Sequence, residues 1–193
     1  MKKIILILGI LILFGNCSLA DENLYETGVA LYNCNKIDQA LETFLKIPEN
    51  ERTVDVWLLI GNILADKGKR ADAVFMYQHA IIITPKYYKP YYNLGVLYLE
   101  DERFYMAVDN FKKAIMYNPD FAYAHYNLGC TYLKLGELKK AKNEFNKAIS
   151  LKNTEPDFHL NLAYVYKKLN KQKMAETYLK NYNDLIQNSI DKQ

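Results

Sequence analysis

From residue 54 onward the chain returns to the same pattern every 34 residues. Ile60-Gly61, Leu94-Gly95, Leu128-Gly129 and Leu162-Ala163 fall in one column. Leu64, Tyr98, Tyr132 and Tyr166 make a second, and Ala73, Ala107, Ala141 and Ala175 a third. Tyr77, Phe111, Phe145 and Leu179 follow, then Ala80, Ala114 and Ala148. Small, aliphatic and aromatic residues held in register over four copies are not a product of composition. A fixed period of this length marks an array of like units, none of which can bury its apolar face alone. Each copy must therefore take up one local structure and stack on the next.

That local structure is helical. Within a copy the apolar residues fall at i, i+3, i+4 and i+7, the stripe of an amphipathic helix. In residues 88–121, Tyr91, Leu94, Gly95 and Tyr98 form one stripe, and Ala107, Phe111 and Ala114 a second. Gly95 and Ala107 are small enough for two helices to approach closely, with Phe111 filling the space beside them. Pro90 suits a first helical turn, where its missing amide hydrogen has no partner to lose. Pro85 and Pro119 follow the second helix, where the next copy begins. Asp66-Lys67-Gly68-Lys69 and Lys134-Leu135-Gly136-Glu137 read as the turns within a pair. The period predicts ten helices in five antiparallel pairs and no strand.

The spacing of Trp57, Ile60, Gly61 and Leu64, then Ala73, Tyr77, Ala80 and Pro85, resembles the tetratricopeptide repeat. Tyr91, Leu94, Gly95 and Tyr98, with Ala107, Phe111, Ala114 and Pro119, match it again. The resemblance implies an all-α fold, a right-handed α-solenoid of five helix-turn-helix units. Their bounds are 21–53, 54–87, 88–121, 122–155 and 156–189, with a tail at 190–193. The first copy is degenerate. It keeps Gly28, Leu31, Ala40, Phe44 and Pro48 but has Thr27 where Leu is usual. In the fourth, Asn153 replaces Pro. The fifth has Ala163 for Gly and the bulky Tyr182 at a small position, as a terminal cap does when one face has no neighbour.

Residues 1–20 read as an export signal. Lys2-Lys3 precede an apolar run from Ile4 to Phe14, then a short polar stretch and the acidic Asp21-Glu22. The run is too short to span a bilayer, which needs about 20 apolar residues. Two processing routes stay open, with an uncleaved anchor as a third outcome. Ser18-Leu19-Ala20 has the small-x-small form read by signal peptidase I, giving a mature start at Asp21. Cys17, after Leu13-Phe14-Gly15-Asn16, is a lipidation candidate, although Asn16 departs from the usual small residue. Both routes export the protein, to the periplasm or the outer face of a bacterial membrane, soluble or lipid-anchored.

No catalytic carrier is visible, and neither a metal nor a cofactor is expected. Cys34 and Cys130 lie several copies apart, beyond the roughly 7 Å that a disulfide bridges between Cα atoms, and are expected to be quiet, partly buried thiols. His79, His125 and His159 are the only histidines. His125 and His159 share the column of Trp57 and Tyr91, so packing accounts for them. No Ser/His/acid set, phosphate-binding glycine loop or CxxC pair occurs. Net charge is +3, of which Lys2 and Lys3 supply two, so the body lacks the basic face that nucleic-acid binding requires. Acidic residues outnumber basic ones over 21–100 and the balance reverses over 122–193, a distribution that solvated outer faces explain.

What remains is a surface for a protein or peptide. The resemblance implies that the first helix of each pair lines a concave groove and that asparagine ladders there hold peptide backbone. Asn93, Asn127 and Asn161 recur just before Leu-Gly or Leu-Ala, and an amide donates and accepts at once. Tyr92 and Tyr126 precede the first two. Val96, Cys130 and Tyr164 lie about one turn on, and Leu99 and Leu133 another turn beyond. Aromatic and aliphatic groups with interspersed amides have the composition of a partner site, although part of the strip could equally be core between first helices. The Lys and Arg clamp of chaperone-binding relatives is missing, since Tyr25, Leu58, Tyr92 and Tyr126 stand in its columns. The sequence reading is a non-catalytic interaction scaffold of the bacterial envelope, monomeric when free. Its rival is a permanently docked subunit of an envelope enzyme or assembly complex.

Overall fold

A computed structural model describes residues 23–191, and the segment read as an export signal, with Cys17, lies outside them, as do residues 192–193. The described residues hold ten α-helices and no strand. They divide into two compact units, one ending at Glu51 and one beginning at Arg52.

The first unit is a single hairpin. Its helices are α1 (Leu24–Asn33) and α2 (Ile37–Lys46), followed by a 3-10 turn at Glu49–Glu51. Asn23 caps α1 by accepting from the Glu26 amide, which satisfies one of the free donors of a first turn. Phe44 and Ala40 are fully buried against Gly28. Cys34 is exposed in the turn rather than partly buried, because it ends α1 at a point the hairpin leaves open to water.

The second unit holds four hairpins: α3 (Val54–Asp66) with α4 (Arg70–Ile83), α5 (Tyr88–Glu100) with α6 (Phe104–Tyr117), α7 (Ala122–Lys134) with α8 (Leu138–Leu151), and α9 (Pro156–Lys168) with α10 (Gln172–Ile190). The first helices begin at 54, 88, 122 and 156, the period read from the sequence. Each hairpin packs its two helices together, and the second helix of one pair then packs on the first of the next. First helices also touch along the array, α3 with α5, α5 with α7 and α7 with α9. The result is a solenoid.

Close approach within each hairpin depends on the glycine column. A Cβ on Gly95 would lie 2.6 Å from the Phe111 ring, and one on Gly129 would lie 2.8 Å from Phe145. The fully buried Phe111, Phe145 and Ala141 confirm that these rings and alanines fill the hairpin core. Copy five carries Ala163 opposite Leu179, so the added methyl coincides with the loss of an aromatic ring.

The turns within pairs share one device. Asn35, Gly68, Glu102, Gly136 and Asn170 have φ of 58°, 73°, 58°, 75° and 56°. In the second unit the following amide reaches back to the last turn, as in Lys69 to the Leu64 carbonyl at 2.8 Å and Arg103 to Tyr98 at 2.8 Å. This Schellman closure satisfies carbonyls that a helix end otherwise leaves unpaired. Glycine and asparagine tolerate the left-handed conformation, and Glu102 carries its steric penalty. Pro90 stands third in α5, where Ala124 and Phe158 of later copies make only short-range amide bonds to Phe121 and Glu155.

The candidate groove and the ties between copies

The groove residues come from α5, α7 and α9. Asn93, Asn127, Asn161, Tyr92, Tyr126, Val96, Cys130, Leu99 and Leu133 are half-buried, and only Tyr164 is exposed. The amides are engaged inside the fold. Asn127 Nδ2 donates to the Tyr92 hydroxyl at 3.0 Å and Asn161 Nδ2 to the Tyr126 hydroxyl at 2.7 Å. Asn93 Nδ2 donates to Asn62 Oδ1 at 2.7 Å, and that oxygen also accepts from the Tyr77 hydroxyl at 3.0 Å. Each bond donated by Asn93, Asn127 or Asn161 runs back to the copy before it, while the Tyr77 bond stays within its own copy. The asparagine column therefore ties copies together through nitrogen, and among the described residues the Oδ1 acceptors of Asn127 and Asn161 have no partner.

The tyrosine rings pack within their own copy, and Tyr126 also reaches the next. Tyr92 packs on Phe111 of its own copy at 5.9 Å and meets Phe121 at 4.9 Å edge-on. Tyr126 packs on Phe145 at 5.7 Å and stacks on Phe158 of the next copy at 4.6 Å. These ring pairs supply packing beyond their buried area. Burial raises the Tyr126 hydroxyl pKa well above its ordinary value, with the neighbouring Cys130 adding to the effect. It also pushes the Cys130 thiol up to about 11. Cys130 is thus a protonated, weakly nucleophilic thiol at neutral pH.

A second series of ties was legible only as packing. Tyr91 donates from its hydroxyl to the Pro85 carbonyl at 2.9 Å. One period later, His125 Nε2 meets the Pro119 carbonyl at 3.1 Å, and another period on His159 Nε2 meets that of Asn153 at 3.0 Å. Each polar tip pins the loop that leads into its own first helix. His125 and His159 are 7% and 5% exposed, so these bonds satisfy carbonyls that helix packing has removed from water. His125 Nδ1 also lies 2.7 Å from Glu144. In copy five Tyr178 takes the place of Glu144, and His159 Nδ1 is buried without a partner. Trp57 heads the column with its Nε1 likewise unpaired, its ring stacked on His79 at 4.5 Å.

Among the described residues no group of three or more His, Cys, Asp or Glu could hold a metal, and no helix is long and apolar enough to cross a membrane. The first helices of the array carry a half-buried strip of hydroxyls, amide oxygens and aliphatic groups.

Comparisons with known proteins agree with this architecture. One tetratricopeptide-repeat model matches residues 54–87 and 156–188, and a second TPR repeat model matches 103–136 and 131–170. No curated protein matches the sequence. Among solved structures, a crystal structure of MamA is 23% identical, with a TM-score of 0.77 over 85% of this chain and 96% of that one. A MamA RS-1 double mutant is 20% identical, with a TM-score of 0.78 over 88% and 96% of the two chains. At such identity the likeness is one of fold. The repeat models together span more than half of the chain, and the chain belongs to the tetratricopeptide-repeat proteins.

Proposed function

We propose that this chain is a non-catalytic scaffold that binds a peptide or helical segment of a partner protein along the first helices of its array. The observation that carries the reading is the strip of half-buried groups in α5 and α7. Val96, Leu99 and Leu133 stay accessible there, beside the Oδ1 acceptor of Asn127, and Asn161 carries the same acceptor on α9, both without a partner among the described residues. Amide oxygens at a regular interval suit backbone N–H donors, and the aliphatic groups between them suit side chains. The repeat family supports the same class of function.

Residues 1–20, read as an export signal, support a place in a bacterial cell envelope, in the periplasm or on the outer face of a bacterial membrane. Release at Asp21 leaves a soluble array. Lipidation at Cys17 ties it to a membrane, since the two or three acyl chains of a lipoprotein hold firmly where one holds weakly. Intact mass of the exported protein distinguishes the two.

The groove is tested by capture from envelope extract with the wild-type chain and with a Leu99→Asp/Leu133→Asp variant of verified helicity. Loss of the captured protein in the variant is the expected result. Equal capture by both would move the binding surface to the outer helices.

A further inference from the structure

Within residues 52–191 each interior copy has its stacking side covered by the copy that follows. Tyr126 is stacked on Phe158, and Phe145 behind it is fully buried. The last copy has no successor among the described residues. In the same columns Leu160 is 38% exposed and Leu179 44%, and Tyr164, in the column of the half-buried Val96 and Cys130, is 46% exposed. Another regular copy does not suit this end. Leu160 stands where Tyr92 and Tyr126 offer a hydroxyl to the next asparagine, and Tyr182 stands where Ala114 and Ala148 leave room.

Charge selects the occupant. Asp157, Leu160, Tyr164 and Lys167 follow one another along α9 at spacings that keep them on one side of the helix. Asp157 occupies the column of Tyr123, which meets Phe158 of the next copy at 5.7 Å. At the other end of the strip, Lys168 lies over the Tyr164 ring at 5.4 Å. The strip is therefore acidic at one end, apolar in the middle and basic at the other. Turned through half a rotation it complements itself: Asp157 faces Lys167 of a second copy, and Leu160 faces Tyr164. A partner of single charge sign would oppose half of this surface.

We propose that the open end formed by α9 and α10 is a two-fold interface between two copies of this chain, with α9 antiparallel to its mate. Such an isologous contact closes the array instead of extending it. The interface removes Tyr164 from the groove strip and replaces the monomer expected from the sequence. It does not rest on the groove reading, whose accessible residues lie on α5 and α7.

Sedimentation velocity of the full chain, in the processed form the host produces and with its mass verified, tests the proposal. The wild type is expected to sediment as a dimer at micromolar concentration, and Leu160→Glu as a monomer of unchanged helicity. Asp157→Lys and Lys167→Asp are each expected to weaken the dimer several-fold. The double variant is expected to restore it, because across a two-fold axis each new lysine meets a new aspartate. A wild-type monomer throughout the range, a dimer that survives Leu160→Glu, or single reversals with no rescue in the double variant would each overturn the interface.

Discussion

Gly95 and Phe111 show how little room one hairpin leaves. Exchanging glycine for alanine inside a helix ordinarily gains about 1 kcal/mol. Here the new methyl would sit 2.6 Å from a ring that is itself fully buried, and overpacking of that kind costs about 1–3 kcal/mol. Gly95→Ala is therefore expected to lower the urea midpoint. Adding Phe111→Leu, the combination that Ala163 and Leu179 already form in copy five, is expected to recover part of the loss. The opposite sign is expected at Glu102, whose φ of 58° strains a side-chain-bearing residue. Glu102→Gly removes a penalty of roughly 1–2 kcal/mol and returns part of it as unfolded-state freedom, so the midpoint should rise. The two thiols also part company. Burial holds the Cys130 pKa at about 11, above its usual 9.0, so alkylation at pH 8 should label the exposed Cys34 and spare Cys130 until the chain unfolds. The sign of the linkage follows. As pH rises above about 9 the unfolded thiol ionises while the folded one stays protonated, so this group's contribution falls progressively toward pH 11.

At the scale of helices, the junctions between copies are held by side chains whose partners lie about one period away. Asn127 to Tyr92 and Asn161 to Tyr126 each span 35 residues. Removing one such amide should cost about 0.5–1.5 kcal/mol of folding stability. The near-neutral effect that a purely groove-facing asparagine implies is therefore replaced by a measurable loss. A double-mutant cycle of Asn127→Ala with Tyr92→Phe, read from denaturant midpoints, is expected to give a coupling of that order, and additive effects would deny the tie. The helices themselves were legible because their starts and turns depend on local chemistry repeated at a fixed interval: small residues at close approach, glycine or asparagine at positive φ, apolar stripes. The ties were not, because a column identifies the side of a helix but not which neighbour reaches it. Asn127 meets a tyrosine one residue out of register, and the His125 and His159 carbonyl bonds run to loops that carry no signal beyond a proline. Cys34 was misjudged for a related reason. Its column ends a helix, where burial depends on what covers the turn and not on helical period.

For the molecule as a whole, stability should be distributed and not uniform. In an array each copy touches only its neighbours, so free energy is a sum of copy and junction terms, and opening begins where junctions are fewest. Copies 88–121 and 122–155 each have a neighbour on both sides within the second unit, whereas α10 packs chiefly on α9 among the described residues and buries only Ala175 among its 19 residues. Native-state hydrogen exchange is therefore expected to be slowest in α5 to α8 and fastest in the last turns of α10. Lowering protein concentration should leave α5 to α8 unchanged but speed exchange in α9 and α10, because dissociation of the two-fold pair removes their only outer contact. Equal protection from α3 to α10 would mean that the array unfolds as one cooperative block. A concentration-independent profile would leave the open end without its second copy, and the gradient along the array would then rest on the junctions alone.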